Sequence, residues 1–530
     1  MISMVESVYK KVGIASLIMM SSVLLSRVIG LLREVFIAYA GGATGEVDAY
    51  QMAFVLPEIL NHVVATGFLS VTFIPIFNQY LVKDMEDEGW KVFSLILTCF
   101  GTLLLVLIFI AWFYADSLVS LVAPGARDPA VKALAVRMTR IVLPAQFFFF
   151  AGGLFMAVQF SKEHFLFPAL APLLYNLGII LGGLLLGPWV GIEGFSWGVL
   201  AGAFAGNFAV QWIGARRIGM KFTHSIDIFH PDLRRYFFLT LPLILGLTMT
   251  FSTEFLFRFF GSYMPKGTIA ALNYGLRVML ILVGLFGQAV GTASFPFMAR
   301  LVAEDRITEM NTLLNRTLRY LSLVIPFSVL LMVLRHEVVL ILFQRGRFDA
   351  VATELTSQLL PFLLLGAFAF SAQTVVVRAY YATQDTLFPA LFGTAAVLLS
   401  IPLYLLSMDW LGPAGVALGV SLSAVLQVTV LYALWNRRSG SREGWNVYGF
   451  VGRITLLSVI LGIALEGFRR MAISQINQWT LSGAVFTSIV SGILFLLILN
   501  LTGRMMRIEE IQEIFRRPVR KLKDRVRKTE

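Results

Sequence analysis

The chain has 530 residues, of which 58% are hydrophobic, and its mean hydropathy is +0.79. Soluble domains are much less apolar, so the composition excludes an ordinary soluble protein. The net charge is +12, but most basic residues fall in short segments between apolar stretches. This distribution indicates membrane topology and contact with anionic lipids rather than binding to nucleic acid.

Fourteen apolar segments follow one another along the chain, each long enough to cross a bilayer, which takes about 20 residues. They predict an all-α polytopic membrane protein in which no loop is long enough for a soluble domain. Because the first segment continues past the length of a signal peptide, we expect it to stay in the protein. The segments cover residues 14–40, 49–80, 92–115, 133–158, 164–187, 193–214, 237–262, 269–298, 317–343, 357–382, 387–410, 414–436, 449–469 and 481–502.

The first segment contains two arginines and a glutamate, Arg27, Arg33 and Glu34. An arginine at bilayer depth costs about 2.5–3.5 kcal/mol on insertion scales, so it usually faces a polar cavity or a charged partner. We therefore expect a cationic cavity for an anionic substrate. The alternative is that Arg33 pairs with a nearby carboxylate and only orders the helices.

An internal repeat relates the two halves of the chain at an offset of 221 residues: the five residues 166–170 recur unchanged at 387–391. This predicts two six-helix lobes with the same orientation, related by an axis near the membrane normal. Many secondary transporters are built in this way, and a duplicated scaffold without transport is the alternative. The predicted parts are an N-terminal lobe at 1–222, a C-terminal lobe at 223–440, two further helices at 441–502 and a basic cytoplasmic tail at 503–530.

Other candidates for a central cavity come from early segments of both halves. Asp48 follows a glycine-rich turn and is either a gating contact or a helix N-terminal charge. Glu254 and Arg258 are one helical turn apart, so they either line the cavity or neutralise each other. Arg277 either snorkels to the membrane boundary or lines the cavity, and we favour the cavity.

Loop charge and the lack of catalytic motifs further limit the function. The predicted inner side carries 28 Lys or Arg and the outer side 8, so we expect both termini in the cytoplasm. The sequence has no cluster with metal-ligand spacing and no nucleotide-binding glycine loop. We therefore predict no enzyme activity, no cofactor and no direct use of ATP. The membrane potential, Na+ and H+ are the candidate energy sources. The chain has one cysteine, Cys99, so it cannot contain a framework of disulfide bonds.

Several motifs together resemble the MurJ/MviN lipid II flippases of the multidrug/oligosaccharidyl-lipid/polysaccharide exporter superfamily. The resemblance extends over about residues 13–500. It rests on Ser26–Gly30 with Arg33 and Glu34, Asp48–Tyr50, Phe54–Pro57, Phe73–Ile76, Ala123–Gly125, Phe343–Phe348, and Tyr381–Asp385 with Pro389.

This resemblance implies fourteen helices, two lobes around a central cationic cavity, and a groove for the undecaprenyl tail along the last two helices. Arg27 and Arg33 match the arginines of the family's first helix, and Arg277 matches that of the eighth. Asp48 matches the acidic residue at the start of the second helix. The resemblance thus implies that Arg33 and Arg277 bind the diphosphate and that Arg27 supports this site.

The chain departs from the family in the second helix, where Asn61 and His62 replace a basic pair. The acid that many members carry before the next glycine is Thr66, and an acid after the eighth-helix arginine is Leu280. We expect Asn61 and His62 to contact the substrate, and His62 to supply part of the missing charge when protonated. The alternative for His62 is a packed core histidine.

The expected function is transport of the undecaprenyl-diphosphate-linked peptidoglycan precursor lipid II from the inner to the outer leaflet of the bacterial cytoplasmic membrane, by alternating access. The expected partners are this or a similar polyprenyl-diphosphate glycolipid, anionic membrane lipids and cell-wall synthesis proteins. The first alternative is a flippase for another lipid-linked oligosaccharide, an O-antigen or exopolysaccharide precursor. A multidrug antiporter is less favoured, because it would need acidic rather than arginine cavity residues. A polytopic glycosyltransferase is disfavoured because the outer loops are short and poor in acids.

Overall fold

The computed structural model describes residues 2–64, 69–223, 227, 229–441, 443–473 and 479–513. Inside the helices, the side chains of 2–16, 62–64, 69–71, 241–252 and 472–473 lie outside this description. The described residues form helices joined by short connections and contain no strand. The predicted all-α class is therefore confirmed.

One compact unit comprises Met1–Ala270 together with the short loop Arg345–Asp349. Local sequence sets its helix ends: the Asp128 carboxylate accepts a hydrogen bond from the Ala130 N–H at 2.8 Å, and Pro129 occupies the first helical position of α7. The helices are α1 (Ile2–Gly41), α2 (Gly45–Ala53), α3 (Val55–Val64), α4 (Leu69–Val82), α5 (Glu86–Phe113), α6 (Ala115–Val122), α7 (Pro129–Val142), α8 (Ala145–Ser161), α9 (Leu166–Val190), α10 (Glu193–Gly202), a π-helical turn (Ala203–Ala209), α11 (Val210–Arg217) and α12 (Pro231–Gly261).

The second compact unit comprises Ala271–Gln344 and Ala350–Glu530. Its helix α21 ends at Ser439, and the left-handed φ of 68° at the following Gly440 suits a glycine after the last helical turn. The helices are α13 (Thr268–Leu282), which begins in the first unit, a π-helical turn (Val283–Gln288), α14 (Ala289–Ala303), α15 (Ile307–Leu321), α16 (Val324–Val333), α17 (Arg335–Phe343), α18 (Ala350–Leu364), α19 (Ala367–Ala382), α20 (Leu387–Leu411), α21 (Pro413–Ser439), α22 (Gly444–Ile473) and α23 (Leu481–Met505).

Among the described residues, 10 helices are long and apolar enough to cross a membrane, or 11 if α18 and α19, bent by 43°, form one span. They correspond to eleven of the fourteen predicted segments, which confirms a multi-pass membrane protein. The other three segments, 14–40, 49–80 and 237–262, fall on α1, α2–α4 and α12, parts of which lie outside the described residues. The total of fourteen spans stays a prediction.

The internal repeat is also present in the backbone. Helices α9 and α20 each contain 25 residues, and each ends at a glycine with positive φ, Gly191 at 62° and Gly412 at 56°. The same offset relates three further pairs of residues with positive φ. These pairs are Asp84 and Asp305, Glu163 and Gln384, and Gly219 and Gly440. We refer to residues 14–214 and 237–436 as the first and second repeats.

The compact units divide the chain differently from the repeats. Helix α12 opens the second repeat but packs in the first unit, against α3, α4 and α5. The Tyr80 hydroxyl hydrogen-bonds to the Asp232 carboxylate, and the ring of Phe100 contacts that of Tyr236 edge-on at 4.9 Å. These contacts explain why the first unit ends at Ala270 instead of between the repeats. The lobe boundaries at 222 and 440 describe the duplication and stay predictions.

Candidate functional site

Arg33 and Glu34 form an ion pair in the second half of α1. The distance from Arg33 Nη2 to Glu34 Oε1 is 2.6 Å, and the two side chains are 20% and 4% exposed. Arg33 Nη1 also donates to Asn176 Oδ1 of α9 at 3.1 Å. Asn176 in turn donates to the Ser26 hydroxyl at 3.4 Å. Arg33 therefore has the carboxylate partner that the alternative interpretation expected, and its role in substrate binding stays a prediction.

Arg258 on α12 binds two glutamates. Its Nη1 lies 2.5 Å from Glu58 Oε2 of α3, and its Nη2 lies 3.1 Å from Glu254 Oε2. The Arg258 side chain is 2% exposed, whereas those of Glu58 and Glu254 are 27% and 33% exposed. Glu254 and Arg258 therefore pair, as one of the two alternatives held, and Glu58 makes the shorter contact; a role of the two residues in lining the cavity stays a prediction.

These two groups are close enough to interact electrostatically. Glu34 interacts with Arg258, and Tyr175 interacts with both Arg33 and Glu58. We name Arg33, Glu34, Glu58, Glu254 and Arg258 the charge cluster. It contains two guanidinium groups and three carboxylates, so in this conformation it carries no excess of positive charge.

The other predicted binding residues lie on several elements. Arg27 is exposed on α1, and Asn61 is half-buried on α3. The side chain of His62 lies outside the described residues. Arg277 is half-buried on α13, in the second compact unit. The binding roles of these four residues stay predictions.

Asp48 caps the first turn of α13. Its Oδ2 accepts a hydrogen bond from the Gly267 N–H at 2.5 Å, and its Oδ1 accepts one from the Ala270 N–H at 2.8 Å. A carboxylate at a helix N-terminus satisfies unpaired N–H groups and is favoured by the helix dipole. The structure thus places Asp48 as a helix N-terminal charge, but on a helix of the other repeat. A contact between repeats is also what gating requires, so the gating role stays a prediction.

The loop 345–349 of the second repeat packs against the end of α1. The Arg347 N–H donates to the Tyr39 carbonyl at 2.9 Å, and Arg347 Nη1 lies 2.9 Å from Glu46 Oε2. Gly42 has a φ of +65°, and a Cβ at this position would lie 2.4 Å from the Arg347 carbonyl oxygen. Glycine is therefore required there both by the backbone conformation and by the close approach of the loop.

A corresponding contact joins the loop after α6, in the first repeat, to the end of α12. The Gly125 N–H donates to the Ser262 hydroxyl at 3.0 Å. Lys266 forms an ion pair with Asp128, and its ammonium group holds the pKa of that carboxyl below the usual value. Gly125 is the repeat counterpart of Gly346, so the loop of each repeat contacts the first helix of the other. We name these two contacts the loop clasps.

Two polar residues of the membrane segments escaped the sequence analysis. Asn176 on α9 accepts a hydrogen bond from Arg33. The only feature of the sequence that points to Asn176 is a polar amide within the apolar segment 164–187. Arg378 lies in the segment 357–382, near an end where arginines are common. The signal that could have identified Arg378 is its charge within a predicted membrane segment.

Comparison with known proteins places the chain among flippases. The family model described as "Lipid II flippase MurJ" matches residues 37–501. A probable lipid II flippase MurJ of Rhizobium tropici is 28% identical over 449 residues, covering 82% of this chain and 83% of the relative. The lipid II flippase MurJ of Burkholderia cenocepacia is 26% identical over 451 residues, covering 83% and 87%.

Two solved structures support the fold. A lipid II flippase MurJ in an inward closed conformation has a TM-score of 0.73 at 24% identity, covering 92% of this chain and 99% of that chain. An inward-facing multidrug transporter of the MATE family in the MOP superfamily has a TM-score of 0.65 at 14% identity, covering 78% and 95%. At these identities the structures bear on the fold alone. The match over residues 37–501 shows that the chain belongs to the lipid II flippase MurJ family.

Proposed function

We propose that the chain moves the undecaprenyl-diphosphate-linked peptidoglycan precursor lipid II from the inner to the outer leaflet of the bacterial cytoplasmic membrane. The observation that carries this proposal is the family match over residues 37–501, because it includes most of both repeats and the two helices that follow them. The relatives named as lipid II flippases support the substrate. A duplicated transporter fold supports alternating access as the mechanism.

In this proposal Arg33 recognises the diphosphate, because its planar guanidinium offers paired N–H donors to phosphate oxygens. Glu34 now occupies its Nη2 atom, so the diphosphate would replace this carboxylate as the partner of Arg33. Exchange of one anion for another leaves no guanidinium unpaired in a low dielectric. Arg277 and Arg27 would complete the diphosphate site, and Asn61 and His62 would contact the head group.

The loop clasps and the Asp48 cap would control access at one end of the cavity. Release of the head group at that end requires these contacts to break and to form again in each cycle. States that exchange in this way differ by only a few kcal/mol. We further propose that the membrane potential biases this exchange, at about 2.3 kcal/mol per charge per 100 mV.

The proposal places both termini in the cytoplasm, on the basis of the unequal distribution of basic residues. In a Cys99→Ala background, Arg127→Cys should react with an impermeant thiol reagent in intact cells. Glu443→Cys should react only after lysis. Both residues are exposed. A cysteine at Gly42 is not suitable for labelling, because it would disturb a loop clasp. The reverse labelling pattern would overturn the orientation and the direction of transport.

Complementation tests the function directly. A bacterium depleted of its own lipid II flippase should survive when it produces this chain, and should not survive with Arg33→Ala at equal membrane abundance. Purified protein in proteoliposomes should expose the lipid II head group on the opposite leaflet. If the protein instead moves an O-antigen or exopolysaccharide precursor and not lipid II, the proposed substrate is wrong.

A further inference from the structure

We propose that Arg378 and Thr292 form a second oxyanion-binding site in the membrane-spanning part of the second compact unit. The ligand would be a phosphate or carboxylate group of the transported head group, so its identity rests on the proposed function. Arg378 lies on α19 and Thr292 on α14, and both helices belong to this unit.

The guanidinium of Arg378 lies directly against the backbone of α14. Its Nη2 donates to the Thr292 hydroxyl at 3.1 Å. A Cβ on Gly291 would lie 2.7 Å from Arg378 Nη1, so the guanidinium packs closely against α14 at this glycine. Nη1 has no hydrogen-bond acceptor among the described residues. The guanidinium is therefore bonded through Nη2 and retains donors on Nη1 that an oxyanion can use.

Arg378 differs from Arg33, Arg258 and Arg469 in having no carboxylate partner among the described residues. Arg33 pairs with Glu34 and Arg258 with Glu58 and Glu254. In the second unit, Arg469 pairs with Glu337 at 2.9 Å. Within the described part of the chain, the hydrogen-bond partner of the Arg378 guanidinium is a hydroxyl, that of Thr292. A cation in a membrane span without a counter-ion is costly, and an anionic ligand supplies the missing charge.

The surroundings of Arg378 are polar for a membrane span. Gln288 and Thr292 are exposed and four residues apart, so they lie on one face of the helix. Thr374, one turn before Arg378, donates to the Gly287 carbonyl at 3.0 Å. The π-helical turn Val283–Gln288 lies just before α14, and such turns are frequent at functional sites. Polar side chains exposed within a span favour a substrate path over contact with lipid alone.

The repeat shows that packing does not require an arginine here. The counterpart of Arg378 at the 221-residue offset is Ala157 on α8, which is 2% exposed. Snorkelling is the main rival explanation, because Arg378 lies four residues before the end of α19. Lysine snorkels equally well but lacks the paired donors of arginine. An Arg378→Lys variant therefore separates the two explanations.

Arg277 on α13 and Arg378, which contacts Thr292 on α14, lie at different positions along the length of α13 and α14. Arg277 and Thr292 are separated by 15 residues of nearly continuous helix, about 22 Å at 1.5 Å per residue. An anionic head group that leaves one cation would meet the other further along the same helix. Such a second site would keep the charge of the head group compensated as it crosses the bilayer.

Binding to the full-length protein in nanodiscs tests the site, with three probes: undecaprenyl diphosphate, lipid II, and lipid II with its peptide carboxyls amidated. Arg378→Gln should weaken binding about tenfold or more, and Arg378→Lys should restore it only in part. Arg437→Gln, which removes an exposed charge from the same unit, should bind like wild type. Weaker binding of undecaprenyl diphosphate assigns the site to phosphate. Weaker binding only of lipid II with unmodified carboxyls assigns it to the peptide.

A thermal unfolding measurement distinguishes binding from a structural role. Arg378→Gln should keep or raise the Tm, because it removes a cation that has no carboxylate partner. A large fall in Tm would overturn the inference, as would wild-type affinity of Arg378→Gln or Arg378→Lys for all three probes. If the wild-type protein does not move lipid II but binds undecaprenyl diphosphate through Arg378, the proposed substrate fails and the site stands.

Discussion

The Glu58 carboxylate binds the Arg258 guanidinium at 2.5 Å across 200 residues of sequence. This ion pair attaches α12, the first helix of the second repeat, to α3 of the first repeat. It is one reason why α12 belongs to the first compact unit. Glu254, one turn before Arg258, contributes the second carboxylate.

Arg258→Gln should destabilise the protein strongly. Removing one partner of a buried ion pair costs about 3–5 kcal/mol, and the partial exposure of Glu58 and Glu254 places the expected loss near the lower end of this range. Glu254→Gln should have a smaller effect, because Glu58 remains bound to the arginine. Thermal unfolding of the detergent-solubilised variants measures both. Equal Tm values for Arg258→Gln and wild type would show that the pair does not stabilise the fold.

Arg33→Ala and Arg277→Ala should each abolish transport without loss of folded protein in the membrane. Arg→Lys at either position should restore transport only partly, because an ammonium group cannot make the paired hydrogen bonds of a guanidinium. Head-group flipping in proteoliposomes measures the effect, and size-exclusion profiles control for folding. Normal transport by both alanine variants would show that these arginines have only a structural role.

Gly42→Ala should destabilise the protein more than Gly412→Ala. Both glycines have a positive φ, +65° and +56°, so both substitutions introduce backbone strain of about 1–2 kcal/mol. Only Gly42 has a close neighbour, the Arg347 carbonyl oxygen at 2.4 Å from the added Cβ. The difference in Tm between the two variants therefore reports the loop clasp. If the variants lose equal stability, the loop adjusts without cost.

The ion pair between Asp128 and Lys266 should depend on pH. The hydrogen bond from Lys266 lowers the pKa of Asp128 in the folded protein, so the pair stabilises it above the unfolded pKa of about 3.9. This contribution is lost as the pH falls through the lower, folded pKa. Lys266→Met should thus reduce the Tm more at pH 6 than near pH 3. A Tm difference that is the same at both pH values would contradict this ion pair.

Local sequence patterns predicted much of the fold and part of the site. The ion pair of Glu254 and Arg258 could be predicted, because residues four apart lie on the same face of a helix. The repeat followed from identical residues at one offset, and the same offset relates the positive-φ turns. Both features depend on short-range geometry, which the order of residues determines directly.

Contacts between distant segments were not accessible from the sequence. Glu58 reaches Arg258 and Asn176 reaches Arg33 only because packing brings their helices together. Asp48 looked like the cap of its own helix, yet it caps α13. Arg378 lay near a span end, where basic residues commonly snorkel to the interface. Only its neighbours show that it faces a glycine and a hydroxyl instead of a carboxylate.

The paired turns with positive φ have an energetic consequence. Asp84 and Asp305, like Glu163 and Gln384, hold a left-handed backbone although none of them is glycine. Each such residue is disfavoured by about 1–2 kcal/mol, so the connection that is strained in one repeat is strained in the other. The similarity of the repeats therefore includes local backbone strain as well as helix length. The buried arginine–glutamate groups do not recur at the 221-residue offset. The distribution of buried charge therefore differs between the repeats although their backbones are similar.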